Sequence, residues 1–205
     1  MKNAIVDKWN ARYKGADDHI PAPDRILLQG EHWLPAVHRQ SDTCHPGVGT
    51  SPSADGARCN RLRALDLACG RAGNAHWLAG KGFVVSAWDI SSVVIAALEE
   101  RIPRLLHDIQ VRDVIAEPPA KHSFDVIVVT RFLERSVCGA IAEALNPQGV
   151  LFYQTFTQGL GNSDYLLKSD ELPELFCDLQ LLHYHESDVD DSGRAQAGLI
   201  ARKQP

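Results

Sequence analysis

The sequence predicts an α/β fold, a mainly parallel sheet covered by helices on both faces, and three observations predict it. Short apolar runs of strand length alternate with stretches of helical spacing through most of the chain after Arg63. The run Arg63-Ala64-Leu65-Asp66-Leu67 passes through a small-residue turn, Ala68-Cys69-Gly70-Arg71-Ala72-Gly73, into the helical stretch Asn74-Ala75-His76-Trp77-Leu78-Ala79. Phe124-Asp125-Val126-Ile127-Val128-Val129-Thr130 is almost continuously apolar, as a strand buried on both faces must be.

The elements follow in order. An N-terminal helix runs to about Lys14, Pro21-Ala22-Pro23 breaks the chain, and a second helix is expected over 24–37. Residues 1–37 are thereby expected to form a helical cap over a ligand cleft. From His38 to Asn60 the composition turns to Ser, Thr, Gly, Pro and Asp with few large apolar residues, so 38–60 is expected to be a flexible insertion, either a surface loop or a substrate lid. Strands follow at 63–67 and 83–88, a helix over 91–101, a third strand ending near Gln110-Val111, and a fourth strand at 124–130. A helix over 136–145 leads to a strand over 149–156, and a helix over 171–178 precedes two strands, 179–186 and 195–202. Asp190-Asp191-Ser192-Gly193-Arg194 reads as the turn between those two, making a terminal antiparallel hairpin. The chain shows no internal repeat, and 1–205 reads as one domain.

The turn after the first strand carries the chemistry. Gly70 and Gly73 permit backbone conformations closed to larger residues, and amides at the following helix start face a polar ligand above them, the arrangement of a nucleotide-type cofactor site. Asp89 follows the apolar run Phe83-Val84-Val85-Ser86-Ala87-Trp88, about twenty residues beyond Asp66, where a carboxylate accepts hydrogen bonds from ribose hydroxyls. Its other reading is a helix N-cap before Ser91-Ser92. Ligands of open sheets lie outside the carboxyl ends of the strands, which draws Gly70, Asp89, Asp113 and Thr130-Arg131 around one cleft. Taken by itself, Asp113 reads as a solvated turn residue at the end of the third strand. Gly70-Arg71-Ala72-Gly73 does not fit the G-x-G-x-x-G spacing of a dinucleotide site, which disfavours a nicotinamide-dependent oxidoreductase.

Asp66, Ala68, Gly70 and Ala72 instead resemble the first motif of class I S-adenosylmethionine-dependent methyltransferases, with alanine at two family glycine positions. Leu145-Asn146-Pro147-Gln148-Gly149 resembles the family's L-x-P-G-G turn into the fifth strand, with Gln148 in place of the first glycine. Trp9-Asn10-Ala11-Arg12-Tyr13, Arg131-Phe132-Leu133-Glu134-Arg135, Asp164-Tyr165-Leu166-Leu167-Lys168 and Glu171-Leu172 are similar to the small tellurite-resistance-type and thiopurine-methyltransferase-like branch. The resemblance implies a Rossmann-like sheet of seven strands and S-adenosylmethionine as cofactor. It implies a cofactor set of Asp66, Ala68, Gly70, Asp89 with its neighbour Ile90, Asp113 at the adenine with Val114, Thr130 and Trp9. On the acceptor side it leaves Arg131, Arg12 and Tyr13 as candidates: the arginines would hold an anionic small molecule and the tyrosine would orient it. Arg131 reads alternatively as a partner of the cofactor carboxylate. A sulfur or metalloid nucleophile fits the branch, and a non-catalytic S-adenosylmethionine-binding protein is the other reading the motifs allow.

A net charge of −5 over 205 residues gives no general attraction to nucleic acid or anionic membrane, so the expected partner is a small-molecule acceptor. No apolar run is long enough to span a bilayer and no leader pattern opens the chain, so a cytoplasmic location is expected. Cys44, Cys59, Cys69, Cys138 and Cys177 are odd in number and include no C-x-x-C pair, which argues against a disulfide scaffold and a zinc site. Cys69 reads as a packing residue of the turn, and His183-Tyr184-His185 as an exposed strand face with two imidazoles on it. No metal is expected.

Overall fold

The structure, a computed structural model, describes residues 2–15, 19–37, 61–102, 106–158, 163–187, 189 and 193–205. Its sheet consists of β1 (Arg63–Leu67), β2 (Val84–Asp89), β3 (Asp108–Val111), β4 (Phe124–Thr130), β5 (Leu145–Gln158), β6 (Gln180–Glu186) and β7 (Ala195–Arg202). The spatial order is β3-β2-β1-β4-β5-β7-β6. The first five strands in that order are parallel, and β7 runs antiparallel to both β5 and β6. The strand order reverses between β1 and β4, which opens a crevice at their carboxyl ends.

Side-chain alternation divides the core into two layers. Leu65, Leu67, Ile127, Val129, Leu151, Tyr153, Leu199 and Ala201 pack against α5 (Cys138–Ala144) and α6 (Glu171–Leu175). Ala64, Val126, Val128, Val150, Phe152 and Ile200 pack on the opposite face against α2 (Arg25–Gln29), α3 (Gly73–Gly80) and α4 (Ser92–Arg101). Asp66 shares the face of Ala64, so its carboxylate is directed toward α3. The first helix, α1 (Lys2–Tyr13), is tied to α4: Ser91 Oγ donates to Asn10 Oδ1 at 2.8 Å and caps α4 by accepting from Val94 N at 3.4 Å.

Several expected elements are redrawn. The helix expected over 24–37 is only α2, followed by a 3₁₀ turn at Glu31–Trp33. Gly30 breaks it at φ −95° and ψ 12°; a Cβ there would lie 2.4 Å from Ile200 Cδ1 and 2.7 Å from Phe152 Cε1. The chain must therefore turn where it lies closest to β5 and β7. The helix over 136–145 begins as a 3₁₀ turn, Arg135–Val137, before α5, and the helix over 171–178 is shortened to α6. β5 begins early, at Leu145, and Phe124 pairs with it across a register shift. There Gln148 adopts φ 65°, the left-handed conformation that the family glycine would take. The His183-Tyr184-His185 face is half-buried, not exposed: the His183 ring lies 5.8 Å from Trp33 and 5.3 Å from His185. A glycine, Gly198, makes room behind it, since a Cβ there would come within 2.4 Å of His185 Cε1.

The 38–60 insertion, Cys44, Cys59 and most of the expected 190–194 turn lie outside the described residues. No helix among the described residues is long and apolar enough to cross a membrane.

Candidate functional site

The turn after β1 alternates left-handed residues: Ala68 at φ 55°, Gly70 at φ 50° and Ala72 at φ 59°. This winding aims the Gly70 amide at the end of β2, where it donates to Asp89 Oδ2 at 2.9 Å. Ser91 N donates to Asp89 Oδ1, also at 2.9 Å. Asp89 is thus fixed by the backbone at both oxygens, and burial still pushes its pKa above the ordinary carboxylate value.

Tyr13, at the end of α1, lies over this turn. A Cβ on Gly70 would be only 2.8 Å from Tyr13 Oη, so glycine is required by close approach as well as by φ. Burial, with the charge of Asp89 next, pushes the Tyr13 phenol up to about 12. It is therefore a neutral hydrogen-bonding group near neutral pH and unsuited to act as a base. Trp9 stacks on it at 6.2 Å, and the Arg12 guanidinium lies 5.5 Å from the Trp9 ring.

A second cluster forms beside the turn. Asp24, at the start of α2, receives Thr130 Oγ1 at 2.8 Å and Asn74 Nδ2 at 3.3 Å on one oxygen, and the Arg131 guanidinium on the other. Asn74 Oδ1 in turn accepts from Asp24 N at 2.8 Å, and Asn74 Nδ2 reaches Thr130 Oγ1 at 3.2 Å. Arg131 sits at φ 56° as the chain leaves β4, which swings its side chain back over the strand end. The 21–24 segment reaches this point by crossing the start of α3: a Cβ on Gly73 would lie 2.6 Å from Pro21 O.

The remaining expected residues have separate surroundings. Asp66 is buried, accepts from Ala75 N at 3.0 Å and has its pKa pushed well up by burial, so its visible work is to hold α3 to β1. Asp113 is half-buried and accepts from Ile115 N at 3.1 Å, closing the turn after β3, while Val114 is buried in the core beneath it. Ile90 is half-buried beside Asp89. Cys69 is buried, its thiol pushed well up by burial, and it packs among the residues of the α3 face. The structure thus brings Tyr13, Gly70 and Asp89 together, and separately joins Thr130 to Arg131. Arg12 and Arg131 share no partner among the described contacts. Asp24 and Asn74, which join the second cluster, were not among the site residues read from the sequence. Asp24 has the local signal of a helix start after Pro-Ala-Pro, which hides its contacts with β4. Among the described residues no group of three or more His, Cys, Asp or Glu side chains is arranged to hold a metal ion.

A family model described as a methyltransferase domain matches residues 64–149, which contain the Gly70 turn, Asp89, Asp113 and Arg131. No curated protein matches the chain in sequence. Among solved structures, TehB from Haemophilus influenzae is 25% identical, with TM-score 0.61, over 71% of this chain and 59% of that one. A structure from echinomycin biosynthesis, concerned with conversion of a disulfide bond into a thioacetal group, is 17% identical with TM-score 0.64 and covers 97% of this chain and 92% of its own. Phosphoethanolamine N-methyltransferase 2 of Haemonchus contortus, in complex with S-adenosyl-L-methionine, is 16% identical with TM-score 0.59, over 73% and 50%. Residues 64–149 thus match a methyltransferase domain, and the seven-stranded sheet that contains them is similar in fold to these solved structures.

Proposed function

We propose that the chain transfers a methyl group from S-adenosylmethionine to a small-molecule acceptor, with the cofactor lying across the carboxyl ends of β1 and β2. The observation that carries this reading is Asp89, a carboxylate held by backbone amides at the end of β2, beside the left-handed turn that follows β1. When bound, the cofactor would supply a sulfonium methyl as the electrophile and its sulfur as the leaving group. The chain's own part is alignment and exclusion of water. Asp89 binds the ribose, with Ile90 beside it; Gly70 and Ala68 let backbone approach; Asp113 and Val114 border the adenine side. Asp66 acts indirectly, by holding α3 in place. Tyr13 and Trp9, carried on α1, cover the site, and the neutral phenol of Tyr13 orients a polar group beneath it. Thr130 and Arg131 close the β4 end, with Arg131 held by Asp24 on the acceptor side. Arg12 is assigned to the same rim, where its charge attracts an anionic acceptor.

Calorimetric titration with S-adenosylhomocysteine tests the reading. Asp89→Ala removes charge-assisted hydrogen bonds worth about 1.5–3 kcal/mol, so affinity is expected to fall roughly 10- to 100-fold in a folded protein. Unchanged affinity would reject the site.

A further inference from the structure

Two cavities adjoin on the face that carries α2, and the reading given above does not use the further of them. One, of ≈ 650 Å³, opens beside Asp24 and Arg131 and is lined also by Arg25, Arg194, Gln154 and His185. The other, of ≈ 440 Å³, shares Gln29 and His185 with it and is walled by Ile26, Trp33, His183 and Ile200.

Charge is unevenly placed in the first cavity. Three arginines line it against one carboxylate, Asp24, and both oxygens of that carboxylate are engaged by Thr130, Asn74 and Arg131. Arg194 rests 5.6 Å from the Phe156 ring, whereas the exposed Arg25 guanidinium acts on His185, whose pKa is lowered by burial, by His183 and by Arg25. Among the described residues, two buried polar atoms, Gln154 Oε1 and His185 Nδ1, have no hydrogen-bond partner, and both residues line this cavity. The second cavity has a different wall. Trp33, His183 and His185 follow one another at 5.8 and 5.3 Å with interplanar angles of 28° and 35°, opposite Ile26 and Ile200. Rings at that spacing pack on one another and form a continuous aromatic wall, with no gap for a further ring between them.

Resting on the methyltransferase reading, we propose that the acceptor side of the site binds a planar aromatic molecule bearing a carboxylate, with the carboxylate end toward the cofactor. The ring lies in the second cavity against the wall that Trp33 and His183 form and beside Ile200, and the carboxylate lies at Arg25 and Arg131, beside the Thr130 end of the cofactor site. Arginine suits this because its planar fork meets a carboxylate at two points. A bare oxyanion uses only the first cavity and an uncharged ring only the second.

The test is calorimetry on the full chain with saturating S-adenosylhomocysteine, using 2-naphthoate, acetate and 2-naphthalenemethanol. The naphthoate is expected to bind about tenfold or more tightly than either comparison ligand. Arg25→Gln should remove its advantage over the alcohol and leave the affinities for the alcohol and for S-adenosylhomocysteine unchanged, whereas His185→Ala should weaken both aromatic ligands. Acetate binding as tightly as naphthoate, the alcohol binding as tightly as naphthoate, or naphthoate binding unaltered by both substitutions would each overturn the proposal. The S-adenosylhomocysteine titration reads the other question separately. Its failure overturns the methyltransferase reading, and the naphthoate comparison on the ligand-free chain still decides what the cavities recognise.

Discussion

At the scale of single residues, Ala68 and Ala72 hold left-handed conformations that an L side chain opposes, in a turn where the family carries glycine. The opposition is worth about 1–2 kcal/mol per residue and is offset in part because glycine costs more to order on folding, about 0.5–1 kcal/mol. Ala68 is only half-buried, so Ala68→Gly is expected to raise stability by about 0.5–1 kcal/mol, read as a higher urea midpoint. Ala72 is fully buried against the α3 face, and losing its methyl costs about 0.8 kcal/mol, so Ala72→Gly should gain less or nothing. If Ala68→Gly lowered the midpoint, its methyl would be contributing more than its strained φ costs. The gain, if found, shows that the turn keeps its path without glycine because the rest of the fold holds it: the Cys69 amide donates to Trp88 O at 2.9 Å, and Gly70 N is held by Asp89.

At the scale of elements, Arg135 joins pieces of chain that are far apart in sequence. Its guanidinium donates to Asp164 O at 2.8 Å and Leu166 O at 3.0 Å and forms a two-point pair with Glu171, fixing the 3₁₀ turn at Ser163–Tyr165 and the start of α6 beside α5. Three sequence cues of the branch, around Arg135, Asp164 and Glu171, are therefore one contact in space. The Arg135 hydrogen bonds lower the pKa of Glu171, with Lys168 N adding to the effect. A carboxylate with a depressed folded pKa stabilises the fold above its unfolded pKa, and that contribution is lost as pH falls through the folded value. Wild-type stability should accordingly fall on acidification across the carboxylate range. Glu171→Gln should be less stable near neutral pH and should show a shallower fall, measured as urea midpoint against pH. Parallel wild-type and variant curves would show that the pair contributes nothing to the pH dependence. Lys168 and Tyr165 lie on the segment so fixed, and Tyr165 meets Lys8 of α1 at 5.5 Å, which carries the constraint to the other end of the chain.

At the scale of the whole molecule, legibility followed the distance over which each constraint acts. β1, β4 and β7 have the expected bounds because a buried strand is specified by its own apolar run, whereas the cap of α4 is Ser91 and not Asp89, whose carboxylate is turned to the Gly70 and Ser91 amides. The helix over 24–37 was misjudged because its break at Gly30 is imposed by Phe152 and Ile200, and the role of Asp24 was hidden because its partners Asn74, Thr130 and Arg131 lie 50, 106 and 107 residues away. The position of Asp89 at a strand end is legible because the apolar run before it is local, whereas its amide bonds depend on the fold. The same reasoning applies to α1, whose sequence shows little more than a helix with a Trp-Asn-Ala-Arg-Tyr ending. In the structure it reaches from α4, through Asn10 and Ser91, past the Gly70 turn, through Tyr13, to Tyr165, through Lys8. Few of its described side chains are buried, so alone it should open at low free energy, while a ligand beneath Tyr13 stabilises the closed arrangement by its binding free energy. Saturation with S-adenosylhomocysteine is therefore expected to slow amide hydrogen exchange in α1 more than in α5, which lies on the opposite face. Asn10→Ala, which removes the tie to Ser91 without touching the Gly70 turn, should hasten exchange in α1 and quicken ligand release, with a smaller effect on the association rate. Equal protection of α1 and α5 by the ligand would mean that α1 does not cover the site, and the assignment of Tyr13 and Trp9 to the cofactor would fall with it.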